Sequence, residues 1–220
     1  MKKTKILTVA NRKGGAGKST CAAHIAISAT KKGLKTIIID LDPQKTLELW
    51  WKKREEENPY LTDIDPLRIE SVIEGLNEHK FDLCIIDTPG DTSINANSGL
   101  KVADLVLIPS KPTAPDLQAI GRTIATIKSL EKRYLFVITQ AVARSKLAIQ
   151  GASVLSEFGM LAPVTIGNRV AYANAMNIGS SAGEDNTEAE EEIEKLWEFI
   201  YSKLFNMKVA DEKEKVRLNI

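Results

Sequence analysis

Residues 5–29, KILTVANRKGGAGKSTCAAHIAISA, constrain the fold of this chain more than any other stretch. An aliphatic, β-branched run stops at a loop of small residues, and an alanine-rich segment with helical preference follows at once. Small residues let successive backbone N–H groups point at one anion, and the positive end of the following helix adds to that field. Strand, glycine-rich loop and helix in this order predict a nucleotide site. Gly14, Gly15, Ala16, Gly17, Lys18, Ser19 and Thr20 are its candidate phosphate-binding residues. Lys18 is expected to reach the β- and γ-phosphates, and the Ser19 hydroxyl to ligate Mg2+. The loop departs from the common G-x-x-x-x-G-K-[ST] form, because Arg12 stands where the first glycine belongs and a second lysine, Lys13, precedes Gly14.

Short aliphatic runs recur at 5–10, 35–40, 81–87, 103–109, 134–139 and 162–167, separated by segments of helical length. The pattern predicts repeated βαβ units, that is, an α/β fold with a doubly wound, mostly parallel sheet and helices on both faces. Leu117, Ile120, Ile124, Ile127 and Leu130 form one stripe of a helix over about 114–132. A later helix, 187–205, carries Ile193, Leu196, Trp197, Ile200 and Leu204 on one side and glutamates in its first turns. The run IGSSAGEDN at 178–186 reads as a flexible loop, and of the pair Trp50 and Trp51 one ring is expected in the core and the other at an exposed surface. With 220 residues the chain is expected to form a single P-loop domain over 1–206, followed by a charged tail at 207–220.

The formal net charge of +1 provides no global attraction to nucleic acid or to an acidic membrane, so such binding requires a local patch or assembly. Cys21 and Cys84 fall in a helix and an apolar strand, which suits buried free thiols in a reducing compartment; His24 and His79 lack a second ligand at helical spacing. No apolar run reaches the ~18 residues of a membrane span, so a cytoplasmic location is expected.

A metal-bound triphosphate needs carboxylates beside the loop. TIIIDLDPQ delivers Asp40 and Asp42 at the end of one strand, and FDLCIIDTPG delivers Asp87 at the end of another. Asp87 is expected to hold Mg2+ chiefly through water, Asp42 to orient the attacking water, and Asp40 to support the metal's outer shell.

The combination of KGGAGKST, DLDPQ and IIDTPG resembles the deviant Walker A ATPases of the ParA/MinD group, whose loop reads K-G-G-x-G-K-[ST]. DLDPQKTLELW resembles the first switch region, DTPGDTSINAN the second, and LVLIPSKPTAPDLQA the proline-rich segment of the small partition ATPases. GNRVAYANAMNIGSS is similar to the region near the adenine and the DNA-facing surface, although its order of basic residues departs from the usual. The resemblance implies a P-loop NTPase architecture with ATP and Mg2+ as cofactors. It implies that Lys13 crosses to a partner subunit's nucleotide, making Lys13, Lys18 and Asp42 the catalytic set.

It further implies an ATP-bound homodimer that binds DNA non-specifically, associates with the nucleoid, and is released when a ParB-like or other cargo adaptor stimulates hydrolysis. Candidate DNA contacts are Arg144, Lys146, Arg169, Lys203 and Lys208. The alternative is a MinD-like membrane-cycling ATPase, which uses a C-terminal amphipathic helix with basic residues beside its apolar face. Here the first half of the terminal helix is acidic, so no stable membrane association is expected. The chain enters its first strand almost at once, leaving no room for a helix-turn-helix within its first 20 residues, as in the small ParA subtype. The cysteine positions do not suit a cluster shared between subunits, and no substrate pocket for a biotin-pathway synthetase is identifiable.

Overall fold

A computed structural model describes residues 3–142 and 145–205. Its strands are β1 (Lys5–Val9), β2 (Thr36–Asp40), β3 (Tyr60–Thr62), β4 (Leu83–Asp87), β5 (Leu105–Ser110), β6 (Tyr134–Ala141) and β7 (Met160–Gly167). They form one sheet in the order β3-β2-β4-β1-β5-β6-β7, with every neighbouring pair parallel. The helices are α1 (Lys18–Lys31), α2 (Thr46–Trp51), α3 (Ile69–Glu78), α4 (Ile94–Val102), α5 (Ala114–Ser129), α6 (Lys146–Phe158), α7 (Val170–Ile178) and α8 (Thr187–Leu204). The six expected strands are present. The additional edge strand, β3, has only three residues and no apolar run to betray it.

Alternation along each strand supplies both faces of the sheet. Leu7, Val9, Ile38, Leu83, Ile85, Leu105 and Leu107 pack under α1, α2, α7 and α8. Ile6, Ile37, Ile39 and Ile86 face α3, while Val106, Ile108, Phe136 and Ile138 face α5 and α6. The stripe on α5 matches its expected periodicity, with Ile120, Ile124 and Ile127 buried and Leu117 and Leu130 packed at its margins.

Register places the chemistry. Val9 is level with both Asp87 and Leu107, and Asp40 is level with Asp87. The carboxyl ends of β1, β2 and β4 therefore meet, and the direction of strand order reverses around β1, where open α/β sheets form their ligand crevice.

Two local expectations are corrected. The 178–186 stretch is a structured connection: Ala182–Glu184 is a 3-10 turn closed by a capping box between Ser181 and Glu184, and Ala182 is buried. Small residues there allow close packing rather than freedom. Trp50 is core, as expected of one ring, but Trp51 is half-buried against the same core and donates from Nε1 to the Pro59 carbonyl at 2.6 Å, so it is not an exposed surface ring. The apolar side of α8, in keeping with its expected stripe, is packed inside the molecule, with Ile193, Leu196, Trp197, Ile200 and Leu204 all buried. No helix among the described residues is long and apolar enough to cross a membrane. The expected tail, 207–220, lies outside the described residues.

Candidate nucleotide site

The loop between β1 and α1 is held from three sides. Asn11 donates from Nδ2 to the Pro109 carbonyl at 2.7 Å, and its Oδ1 accepts from the Lys13 N–H at 2.9 Å. Thr139 Oγ1 donates to the Ala16 carbonyl and Gln140 Nε2 to the Gly15 carbonyl, both at 2.8 Å. Arg12, the residue in place of the missing glycine, ties the loop to α5: its N–H donates to Thr123 Oγ1 at 3.3 Å and its Nη2 to Thr126 Oγ1 at 3.0 Å. With carbonyls drawn back into the protein, the loop's N–H groups are left for a ligand. Gly17 caps α1 at φ 89°, a left-handed conformation in which a Cβ is strained.

The two lysines occupy different environments. Lys18 is buried, with Nζ beside Gly90 of the loop after β4, whereas Lys13 is exposed and forms no ion pair among the described residues. Lys18, Ser19, Thr20, Gly14, Gly15 and Gly17 line a cleft of about 570 Å³ whose opposite wall includes Asp42, Gly90 and Asp91. An adjoining cavity of about 220 Å³ is lined by Thr20, Cys21, Thr139, Ile166, Asn168 and Tyr172, so the GNRVAY segment does come to lie beside the loop.

Asp87 is fully enclosed, and neither of its oxygens accepts a hydrogen bond of normal geometry. Burial pushes its pKa up to about 7; the Ser19 hydroxyl, although outside hydrogen-bonding geometry, and Lys18 favour the ionised form, while Asp40 and Asp42 oppose it. An orphaned, buried carboxylate next to a serine hydroxyl is a donor set suited to Mg2+, a cation that prefers oxygen ligands and completes its shell with phosphates and water. Among the described residues no group of three His, Cys, Asp or Glu side chains could cage a metal alone. Ser19 and Asp87 would therefore hold the ion together with the nucleotide, and the ion would supply charge neutralisation of the phosphates.

Asp40, expected to support the metal's outer shell, is tied by its own hydrogen bonds to the turn that follows β2. Its Oδ1 accepts from the Asp42 N–H and its Oδ2 from the Glu48 N–H, each at 3.0 Å, which fixes the turn into α2. Burial raises its pKa, and these two N–H groups lower it. Lys45 closes the same turn by donating to the Asp40 carbonyl at 3.1 Å and to Asp63 Oδ1 at 2.9 Å. Asp42 is thereby presented to the cleft, with its Oδ1 accepting from the Gln44 N–H at 3.0 Å.

The three described members of the expected basic set, Lys146, Arg169 and Lys203, are not gathered into one patch. Arg169 is neutralised by Glu192, 2.7 Å from its Nη2, and by Glu188. Lys146 starts α6 near the carboxyl edge of the sheet, whereas Lys203 lies near the end of α8, where its carbonyl accepts from Arg133 just before β6, at the opposite edge. Arg144 and Lys208 lie outside the described residues. Asn11, Thr139 and Gln140 were not singled out by sequence; only their proximity to the loop in space marks them.

Residues 7–176 match the model of the CobQ/CobB/MinD/ParA nucleotide binding domain. IncC of Escherichia coli is 25% identical over 254 residues, covering 91% of this chain and 70% of that protein. ParA of Rhizobium radiobacter is 31% identical over 140 residues, covering 62% of each. Cyanothece McdA in complex with ATP superposes with a TM-score of 0.76 at 20% identity, over 92% of this chain and 97% of that one. With the family model covering residues 7–176, which include the loop and both aspartate-bearing strand ends, the chain belongs to the CobQ/CobB/MinD/ParA nucleotide-binding family.

Proposed function

We propose that this chain is a ParA-like positioning ATPase whose working form is an ATP-bound homodimer. The observation that carries this reading is the contrast in environment between the loop's two lysines: Lys18 is buried within its own cleft, and Lys13 is exposed on an anchored backbone without an acidic partner among the described residues. A cation so presented suits the triphosphate of a second subunit, where it would stabilise charge spreading over the γ-phosphoryl oxygens. Lys18 and the loop N–H groups bind the phosphates, Ser19 and Asp87 hold Mg2+, Asp42 orients water, and the 220 Å³ cavity takes the base and ribose. Dimer closure excludes water from both sites and doubles the basic surface, through which the dimer binds DNA non-specifically until a cargo adaptor stimulates hydrolysis.

The test is a pair of substitutions. Lys13→Ala is expected to bind ATP but remain monomeric by analytical ultracentrifugation, whereas Lys18→Ala loses nucleotide binding itself. Normal ATP-dependent dimerisation of Lys13→Ala would overturn the assignment.

A further inference from the structure

A second large cleft, of about 630 Å³, lies away from the loop, between the last turn of α1, the segment after α2 and the end of α7. Arg54, whose side chain is 7% exposed, is among its lining residues. The guanidinium lies over the Trp50 ring, 5.0 Å from its centroid, and donates from Nη1 to the Gly179 carbonyl at 3.0 Å. Gly179, at φ 79°, sits so close to this segment that a Cβ there would come within 2.6 Å of the Lys53 carbonyl carbon and 2.8 Å of the Arg54 nitrogen. The arginine is thus clamped between an indole face and a backbone contact that admits no side chain.

The clamp leaves one edge of the guanidinium poorly used. Nε is buried and has no hydrogen-bond partner. Nη2, on the same edge, reaches only the Asn58 carbonyl at 3.4 Å and Glu56 Oε2 at 3.3 Å. Glu56 is 81% exposed and meets only Nη2, so it occupies half of a two-pronged acceptor position and is held there by a single long contact. The other lysines of the cleft are engaged: Lys31 pairs with Glu190, and Lys53 donates to the Asn177 carbonyl. Burial disfavours the charged form of Arg54 while Glu56 and Glu184 favour it, consistent with a cation in need of a better counter-ion.

We propose that this cleft is a receptor for a carboxylate group, which displaces Glu56 and takes the Nε and Nη2 edge of Arg54 in a bidentate pair. Such pairing matches the fixed fork of the guanidinium to the planar geometry of a carboxylate and satisfies the orphaned N–H. Ile27 and Ile178 on the walls accept an aliphatic stem beside the charged group. The proposal is independent of the nucleotide reading.

The test uses the full chain labelled with 15N, following the Arg54 Nε–Hε resonance by NMR during titration with glutarate, with an acetylated and amidated Glu-Ile-Glu peptide, and with sulfate. A saturable shift with glutarate or the peptide is expected. Glutarate alone points to a small dicarboxylate as the source, and the peptide alone to an acidic protein segment. Arg54→Lys should weaken the effective probe by about tenfold or more, because the two-pronged charged pair is lost. Glu56→Gln, which leaves Arg54 and its clamp intact, should bind more tightly than the unaltered chain and carries the test if Arg54→Lys fails to fold. No saturable shift with either carboxylate, unchanged affinity in Arg54→Lys, no gain in Glu56→Gln, or sulfate binding as tightly as both carboxylates would each overturn the proposal.

Discussion

Asp87 ends β4 with a carboxylate that burial drives up to about 7, far above an exposed aspartate. Because the folded-state value is raised, the native chain holds an extra proton between about pH 4 and 7; the associated stability is complete below that window and lost as pH rises through 7. Asp87→Asn removes the titration. Without Mg2+, the variant should exceed the parent chain in unfolding free energy at pH 8 by on the order of 4 kcal/mol at most, and the gap should shrink towards pH 5. Urea unfolding at the two pH values checks this; a gap independent of pH would mean that Asp87 is already ionised and compensated. Asp42 presents a complementary case, half-buried and fixed by one N–H. Asp42→Ala should retain nucleotide binding but slow phosphate release by about a hundredfold or more, the usual cost of losing a group that positions or accepts the reacting proton. Hydrolysis within a few-fold of the parent would assign water orientation elsewhere.

The decisive packing between elements is that of α8 on α1 and β7. Trp197, 2% exposed, meets Tyr201 and Phe205 edge-on and closes the core beneath α1. Trp197→Ala should cost about 3–5 kcal/mol, the range for truncating a large aromatic in a packed interior, measurable as a drop in thermal midpoint. His24 joins α1 to the connection before α8: Nδ1 donates to the Thr20 carbonyl at 2.8 Å, and Nε2 accepts from the Ala182 N–H at 3.1 Å. A proton on Nε2 would face another donor, and burial lowers the pKa to about 4. Here the folded-state value is depressed, so the contribution is present above about pH 6.5 and lost as pH falls towards 4. The difference in unfolding free energy between the parent chain and His24→Gln should therefore grow in the parent's favour as pH rises from about 4 to 6.5 in chemical denaturation; a difference independent of pH would exclude His24 as its source.

At the scale of the whole molecule, a net charge of +1 is expected to make a single protomer a weaker ligand for DNA than the proposed dimer. The dimer is expected to retard DNA with ATP but not with ADP, and to lose affinity steeply as salt rises, since phosphate contacts release counterions. Retardation indifferent to nucleotide, or insensitive to salt, would remove DNA from the proposed cycle. The phosphate loop, the two aspartate-bearing strand ends, the parallel α/β architecture and the apolar stripes of α5 and α8 are readable from the order of amino acids. Each is a local pattern, set by spacing along the chain and legible without knowledge of neighbours. What depends on the fold is that Arg12 anchors the loop to α5, that Asp87 is left without a hydrogen bond, that Arg169 is consumed by Glu188 and Glu192, and that Arg54 is clamped with its Nε unpartnered. In each case the determining partner is distant in sequence or the determining quantity is burial, and a side chain's charge, freedom and hydrogen-bond balance depend on what the fold brings against it.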